Sequence, residues 1–134
     1  MSMTPETENK AMKTGYRLTE IRRTGDRETS ARVEIDPEAA WFSGHFPGNP
    51  IVPGVIQLAM AFELVQASHA APVRLSLLRR VRFKQIIRPG DRPDIAVRQN
   101  ADGGNTYSFR LMLAADAACT GTLIVEEERE KQNP

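Results

Sequence analysis

A chain of 134 residues, 40% hydrophobic and 26% charged, has the balance of one globular domain and enough length to bury a core. It holds no apolar run long enough for a membrane-spanning helix, and Cys119, the single cysteine, rules out an internal disulfide and a cysteine metal cluster. The net charge of +1 hides a basic stretch: from Arg74 to Arg98, eight Arg and Lys residues stand against Asp91 and Asp94 alone. Phe83 is the only aromatic there for base stacking, so the expected partner is an acidic protein and not a nucleic acid.

In chain order, residues 1–14 are polar, with two acids and two lysines, and lack the apolar stretch of a secretion signal. They read as a disordered lead-in, and a cytoplasmic location is expected. The folded domain is expected over 15–127, with a polar tail at 128–134. Residues 16–23 and 29–35 pattern as strands joined by the turn Thr24-Gly25-Asp26. Residues 37–42 suit one helical turn. From 43 to 54 the density of Gly and Pro predicts a loop with a fixed path. Residues 55–70 form the only long helical pattern. Strands follow at 73–85, 94–99, 107–113 and 118–126, separated by Arg88-Pro89-Gly90-Asp91 and by Ala101-Asp102-Gly103-Gly104-Asn105. One helix among antiparallel strands predicts an α+β domain.

The helical segment is apolar nearly all round: Val55, Ile56, Leu58, Met60, Phe62, Leu64 and Val65 leave little polar surface. Such a helix is expected to be buried on every side, most simply by a sheet wrapped around it. Its start, Ile51-Val52-Pro53-Gly54, offers no capping side chain. The first N–H groups therefore need an outside acceptor, and a carbonyl oxygen placed there would be polarised.

The segment Gly44-His45-Phe46-Pro47-Gly48-Asn49-Pro50-Ile51-Val52-Pro53-Gly54-Val55 resembles the signature of the 3-hydroxyacyl-acyl-carrier-protein dehydratases. A looser likeness runs from about residue 16 to 126 and includes Arg80-Val81-Arg82-Phe83-Lys84 and the turn at 88–91. The resemblance implies a hot-dog fold, in which a curved antiparallel sheet wraps one long helix and two subunits join their sheets. It implies an acyl-thioester substrate, no cofactor, and His45 as the base that takes the C2 proton. An imidazole suits that task because it titrates near neutrality. It also implies Gly54 as the N–H donor to the thioester carbonyl. Val55, Leu58, Ala59 and Phe62 are then expected to line the acyl tunnel. Arg79, Arg80, Arg82 and Lys84 are expected to dock an acyl carrier protein, although along a strand only alternate positions face one way.

The family's second catalytic group is an Asp or Glu fourteen residues after the histidine, supplied by the other subunit. Here that position is Ala59, which can neither give nor take a proton. Eighteen residues after the histidine, where the family places Gln, stands Glu63. The two positions share a helix face about one turn, ~5.4 Å, apart. A carboxyl group desolvated there would favour its protonated form and suit a general acid. Glu63 is thus the expected acid, with an ion pair to an arginine at the subunit boundary as its structural alternative.

Three functions fit: a dehydratase in fatty-acid or polyketide-type chain synthesis, a hot-dog acyl thioesterase, and an impaired subunit that pairs with an active relative. The dehydratase ranks first because the whole histidine loop is intact. A homodimer, a heterodimer with a related hot-dog subunit, or a higher oligomer is expected. His69 is expected to be structural and Cys119 to pack as a small hydrophobe. His45 and His69, twenty-four residues apart with no clustered carboxylates, do not form a metal site.

Overall fold

Alternation of apolar and polar residues builds the strands. In β2 (Glu28–Ile35) the side chains of Ala31, Val33 and Ile35 are buried between more exposed neighbours. In β5 (Thr106–Leu113) Tyr107, Phe109 and Leu111 do the same. The computed structural model describes residues 15–42, 50–102 and 104–128. The other elements are β1 (Tyr16–Gly25), a 3₁₀ turn (Ala40–Phe42), α1 (Gly54–Ala67), β3 (Val73–Phe83), β4 (Asp94–Gln99) and β6 (Asp116–Glu127). The expected lead-in at 1–14, the histidine loop at 43–49 and most of the tail lie outside the described residues.

All strand pairs are antiparallel in one six-stranded sheet of order β1-β2-β4-β5-β6-β3. Side-chain parity splits the sheet into two faces. Cys119, Leu111, Ile95 and Ala31 run in one cross-strand row and belong to the core. Three residues along β6, Arg79, Thr122, Ser108, Arg98 and Glu28 form a row on the opposite, outer face. Cys119 is fully buried, and that burial pushes its thiol up to about 11. The hairpin between β5 and β6 turns on Ala114 and Ala115, with Ala114 at φ 56°, so no Gly or Asn marks it in the sequence. This is why β6 begins two residues before its expected start.

The helix α1 lies against the inner face, contacting β1 to β5. Met60, Ala61, Leu64 and Val65 are fully buried in the sheet's core. Its far end is tied to β3: the Gln66 side chain accepts from Val73 N–H at 2.8 Å and donates to the Ala71 carbonyl at 3.2 Å. The expectation of a helix covered on every side is corrected here. Val55 is 71% exposed, Ala59 is exposed, and Leu58 and Phe62 are only half-buried. The physical reason is that the sheet ends at β3, whose own Leu75 and Leu77 are exposed. Among the described residues no further strand closes over that side.

Candidate active site

The helix start is held from below. Val52 N–H donates to the Ile87 carbonyl at 2.8 Å, and the Pro53 carbonyl accepts from Ile56 and Gln57 N–H at 3.0 and 3.2 Å. Pro53 is the N-cap and makes no side-chain cap. Among the described residues, the N–H groups of Gly54 and Val55 have no acceptor. These are the donors that a helix dipole makes attractive to developing negative charge. A Cβ at Gly54 would sit 2.7 Å from Cζ of Phe83, whose exposed ring lies against the helix start and would have to shift to admit it.

Two hollows border this point. A groove of about 530 Å³ runs along the open side of α1. Val55, Leu58, Ala59 and Phe62 form one wall, and Leu75 and Leu78 of β3 the other. The four helix residues expected to line one tunnel are therefore brought together. The second hollow, about 250 Å³, is bounded by Ile51, Val52, Gly54, Gln57, Phe83, Gln85 and Ile86. Gly54 thus borders one hollow and Val55 the other.

Glu63 lies outside the groove lining and is exposed, so the expected desolvation of this carboxylate is absent in the chain alone. The same open helix side is responsible. Tyr16, at the start of β1, is the described residue whose phenol Glu63 acts on. Burial of the Tyr16 ring, then the charge of Glu63 and a hydrogen bond to it, raise the phenol well above its ordinary value. Within the chain no arginine among the described residues pairs with Glu63, and nothing in the sequence marks Tyr16, because only the fold brings residues 16 and 63 together.

The four basic residues expected to act together are spread along β3 and just beyond it. All are exposed. Arg79 and Arg80 line a third hollow, of about 250 Å³, with Asn100, Thr106 and Thr122. Strand parity should send adjacent residues to opposite faces, but the β3–β6 register slips between Arg79 and Arg82, and Arg80 has φ 55°. The bulge brings both arginines to one place. Lys84 follows Phe83 at the helix-start end of the strand, where its N–H donates to the Ala118 carbonyl at 2.8 Å. His69 is bonded through Nε2 to the Tyr107 hydroxyl at 2.8 Å. His45 lies outside the described residues.

A six-stranded antiparallel sheet laid against one central helix is the hot-dog fold. The structure of the dehydratase heterocomplex ApeI:P from Xenorhabdus doucetiae shares it, with a TM-score of 0.70 over 81% of this chain and 95% of that one, at 24% identity. A protein from Erwinia carotovora subsp. atroseptica matches at a TM-score of 0.64 and 23% identity, over 82% of this chain and 92% of its own. Residues 21–122 match the ApeI-like family, described as ApeI dehydratase, and the chain belongs to that family. Among curated relatives, a 3-hydroxyacyl-[acyl-carrier-protein] dehydratase FabZ from Rhizobium johnstonii is 31% identical over 111 residues, 78% of this chain and 69% of the relative. One of the same name from Syntrophobacter fumaroxidans is 31% identical over 96 residues, 66% of this chain and 63% of the relative. The chain thus spans less than two thirds of that protein's length. No helix among the described residues is long and apolar enough to cross a membrane.

Proposed function

We propose that this chain is a subunit of a dehydratase that removes water from 3-hydroxyacyl thioesters carried on an acyl carrier protein. The observation that carries the reading is the helix start: an apolar groove reaches Val55, next in the chain to Gly54, whose N–H has no acceptor among the described residues. The carbonyl of the thioester rests on that donor, so that charge building on its oxygen is stabilised. The acyl chain lies along Val55, Leu58, Ala59 and Phe62. His45 takes the proton from C2, the C2–C3 double bond forms, and the C3 hydroxyl leaves with a proton as water. Glu63 supplies that proton. A second hot-dog subunit lying on the open helix side would remove Glu63 from water, which a carboxyl needs in order to hold a proton for donation. Lys84 and Arg82, near the helix start on β3, favour an acidic carrier, with Arg79 and Arg80 extending the basic surface.

A second reading concerns the assembly. Ala59 leaves the family's usual acid position empty, and the ApeI:P structure is of a heterocomplex. In that reading, His45 works with a carboxylate from a related hot-dog partner, and Glu63 only braces Tyr16. The test is hydration of a trans-2-enoyl thioester, the reverse reaction, by wild type, Glu63→Gln and Ala59→Glu. The first reading expects an active wild type and a loss of ~10²–10⁴ in Glu63→Gln. An inactive wild type rescued by Ala59→Glu establishes the second. Activity that survives Glu63→Gln removes Glu63 as the acid.

A further inference from the structure

Gln57, 4% exposed, is the only buried amide or charged side chain among the described residues. Its Nε2 donates to the Val52 carbonyl at 3.1 Å. A carbonyl only accepts, so this contact fixes which way the amide points. The other end, Oε1, is shielded from water and has no hydrogen-bond partner. A buried acceptor left unpaired is costly, and such atoms are few in folded proteins.

Gln57 lines the second hollow, together with Ile51, Val52, Gly54, Phe83 and Ile86. No ionisable side chain is among its walls, so it does not suit a charged group. Its walls are mostly apolar; the polar groups among them are Gln57, with its orphaned acceptor, the exposed amide of Gln85, and Gly54, whose N–H has no acceptor among the described residues. The acyl groove opens on the other side of the helix start, at Val55. A thioester whose carbonyl rests on Gly54 N–H therefore has two places for its two ends. Its acyl chain follows the groove and its sulfur-bearing arm crosses the second hollow.

We propose that this hollow holds the amide-bearing arm of the acyl thioester, with Gln57 Oε1 accepting a hydrogen bond from the arm's first amide N–H. The proposal rests on the dehydratase reading for the thioester at Gly54. Gln57 is then a determinant of which thioesters bind, and not a proton carrier.

The test compares two saturated thioesters, neither of which can be dehydrated. One is the butanoyl thioester of N-acetylcysteamine. The other is its ester analogue, in which oxygen replaces the amide N–H and the shape is kept. Affinities are measured by calorimetric or NMR titration on wild type and on Gln57→Met. Wild type is expected to bind the amide about tenfold or more tightly than the ester, the scale of one satisfied buried hydrogen bond. Gln57→Met is expected to bring the two within about twofold. Equal affinities in wild type overturn the proposal, as does a preference that persists in Gln57→Met, or no binding of either thioester. If Gln57→Met does not fold, the wild-type comparison alone decides. Amide-selective binding without enoyl hydration keeps the hollow and removes the reading in which this chain is active by itself; hydration without selectivity keeps that reading and removes the hollow.

Discussion

The two long sides of α1 are built from the same kinds of residue and end in opposite situations. Met60, Ala61, Leu64 and Val65 are wholly buried in the chain's own sheet. Val55, Leu58, Ala59 and Phe62, one step round the same helix, look into an open groove. The first side is satisfied by folding alone. The second has apolar surface that nothing among the described residues covers, and apolar surface held apart in this way marks a place for a ligand or another subunit.

The largest expected effect separates the sides by stability. Leu64→Ala should cost about 2–5 kcal/mol, because a fully buried leucine leaves a cavity. Leu58→Ala, the same chemistry on the open side, should cost less than half as much in urea unfolding of dilute protein. Equal costs would mean that the groove is already covered in solution.

Next comes the covering itself. Leu75→Lys puts a charge where β3 borders the groove, and burying a leucine is worth about 1.5–3 kcal/mol. Sedimentation should show self-association weakened tenfold or more, with the circular dichroism spectrum unchanged. A wild type that remains monomeric at micromolar concentration would break the expectation that a second subunit closes this side.

Tyr16 braces Glu63 at the margin of the open side. Tyr16→Phe should cost about 1 kcal/mol at neutral pH, the net worth of a hydrogen bond. The pH dependence has a fixed sign. The Tyr16 phenol is raised above its ordinary value of about 10, so the folded chain keeps its proton after the unfolded chain has begun to lose it. Its contribution is complete below about pH 10 and is lost as pH climbs further. Cys119, raised to about 11 from 9, adds a decline of the same sign beginning about a unit lower. Alkaline unfolding curves should be shallower above pH 10 in Tyr16→Phe than in wild type, and identical slopes would detach Tyr16 from the effect.

The smallest change in stability is expected for Ala59→Phe, since an exposed site tolerates added bulk. Its readout is the longest enoyl chain hydrated, which should shorten. An unchanged chain-length limit would show that the substrate does not pass Ala59.

Period and turn chemistry made every strand and the single helix legible, with errors of a few residues at the ends. The 55–70 pattern ran past the true helix end at Ala67 because Ser68 closes the helix locally, its hydroxyl donating to the Val65 carbonyl at 2.7 Å. What period cannot tell is whose surface covers an apolar face, and so the helix read as wrapped when one side is open. The groove residues came from likeness to a family and from helix geometry, and they do meet. The pairing of Tyr16 with Glu63 left no trace, because it joins residues far apart in the chain. The shared hollow of Arg79 and Arg80 was hidden for another reason: the bulge that creates it has an arginine at positive φ, where a glycine would have given it away. Gln57 stood out only as one polar residue in an apolar run, and its orphaned oxygen needed coordinates to be seen.

The interrupted register of β3 bears on how this protein stays in solution. An outermost strand with bare amides invites any extended chain to add to it, and repeated addition of copies grows a fibre. Along β3 the ladder slips twice, between Leu75 and Leu77 and again between Arg79 and Arg82, with arginines flanking the second slip. A foreign strand that starts in register at Leu77 meets misaligned amides and positive charge within a few residues. At the other edge β1 slips at Thr19 to Arg22, with Glu20 at φ 55°, followed by Arg22 and Arg23. Both rims of the sheet therefore admit only short pairings, which allows a discrete complex to form and starves an endless one.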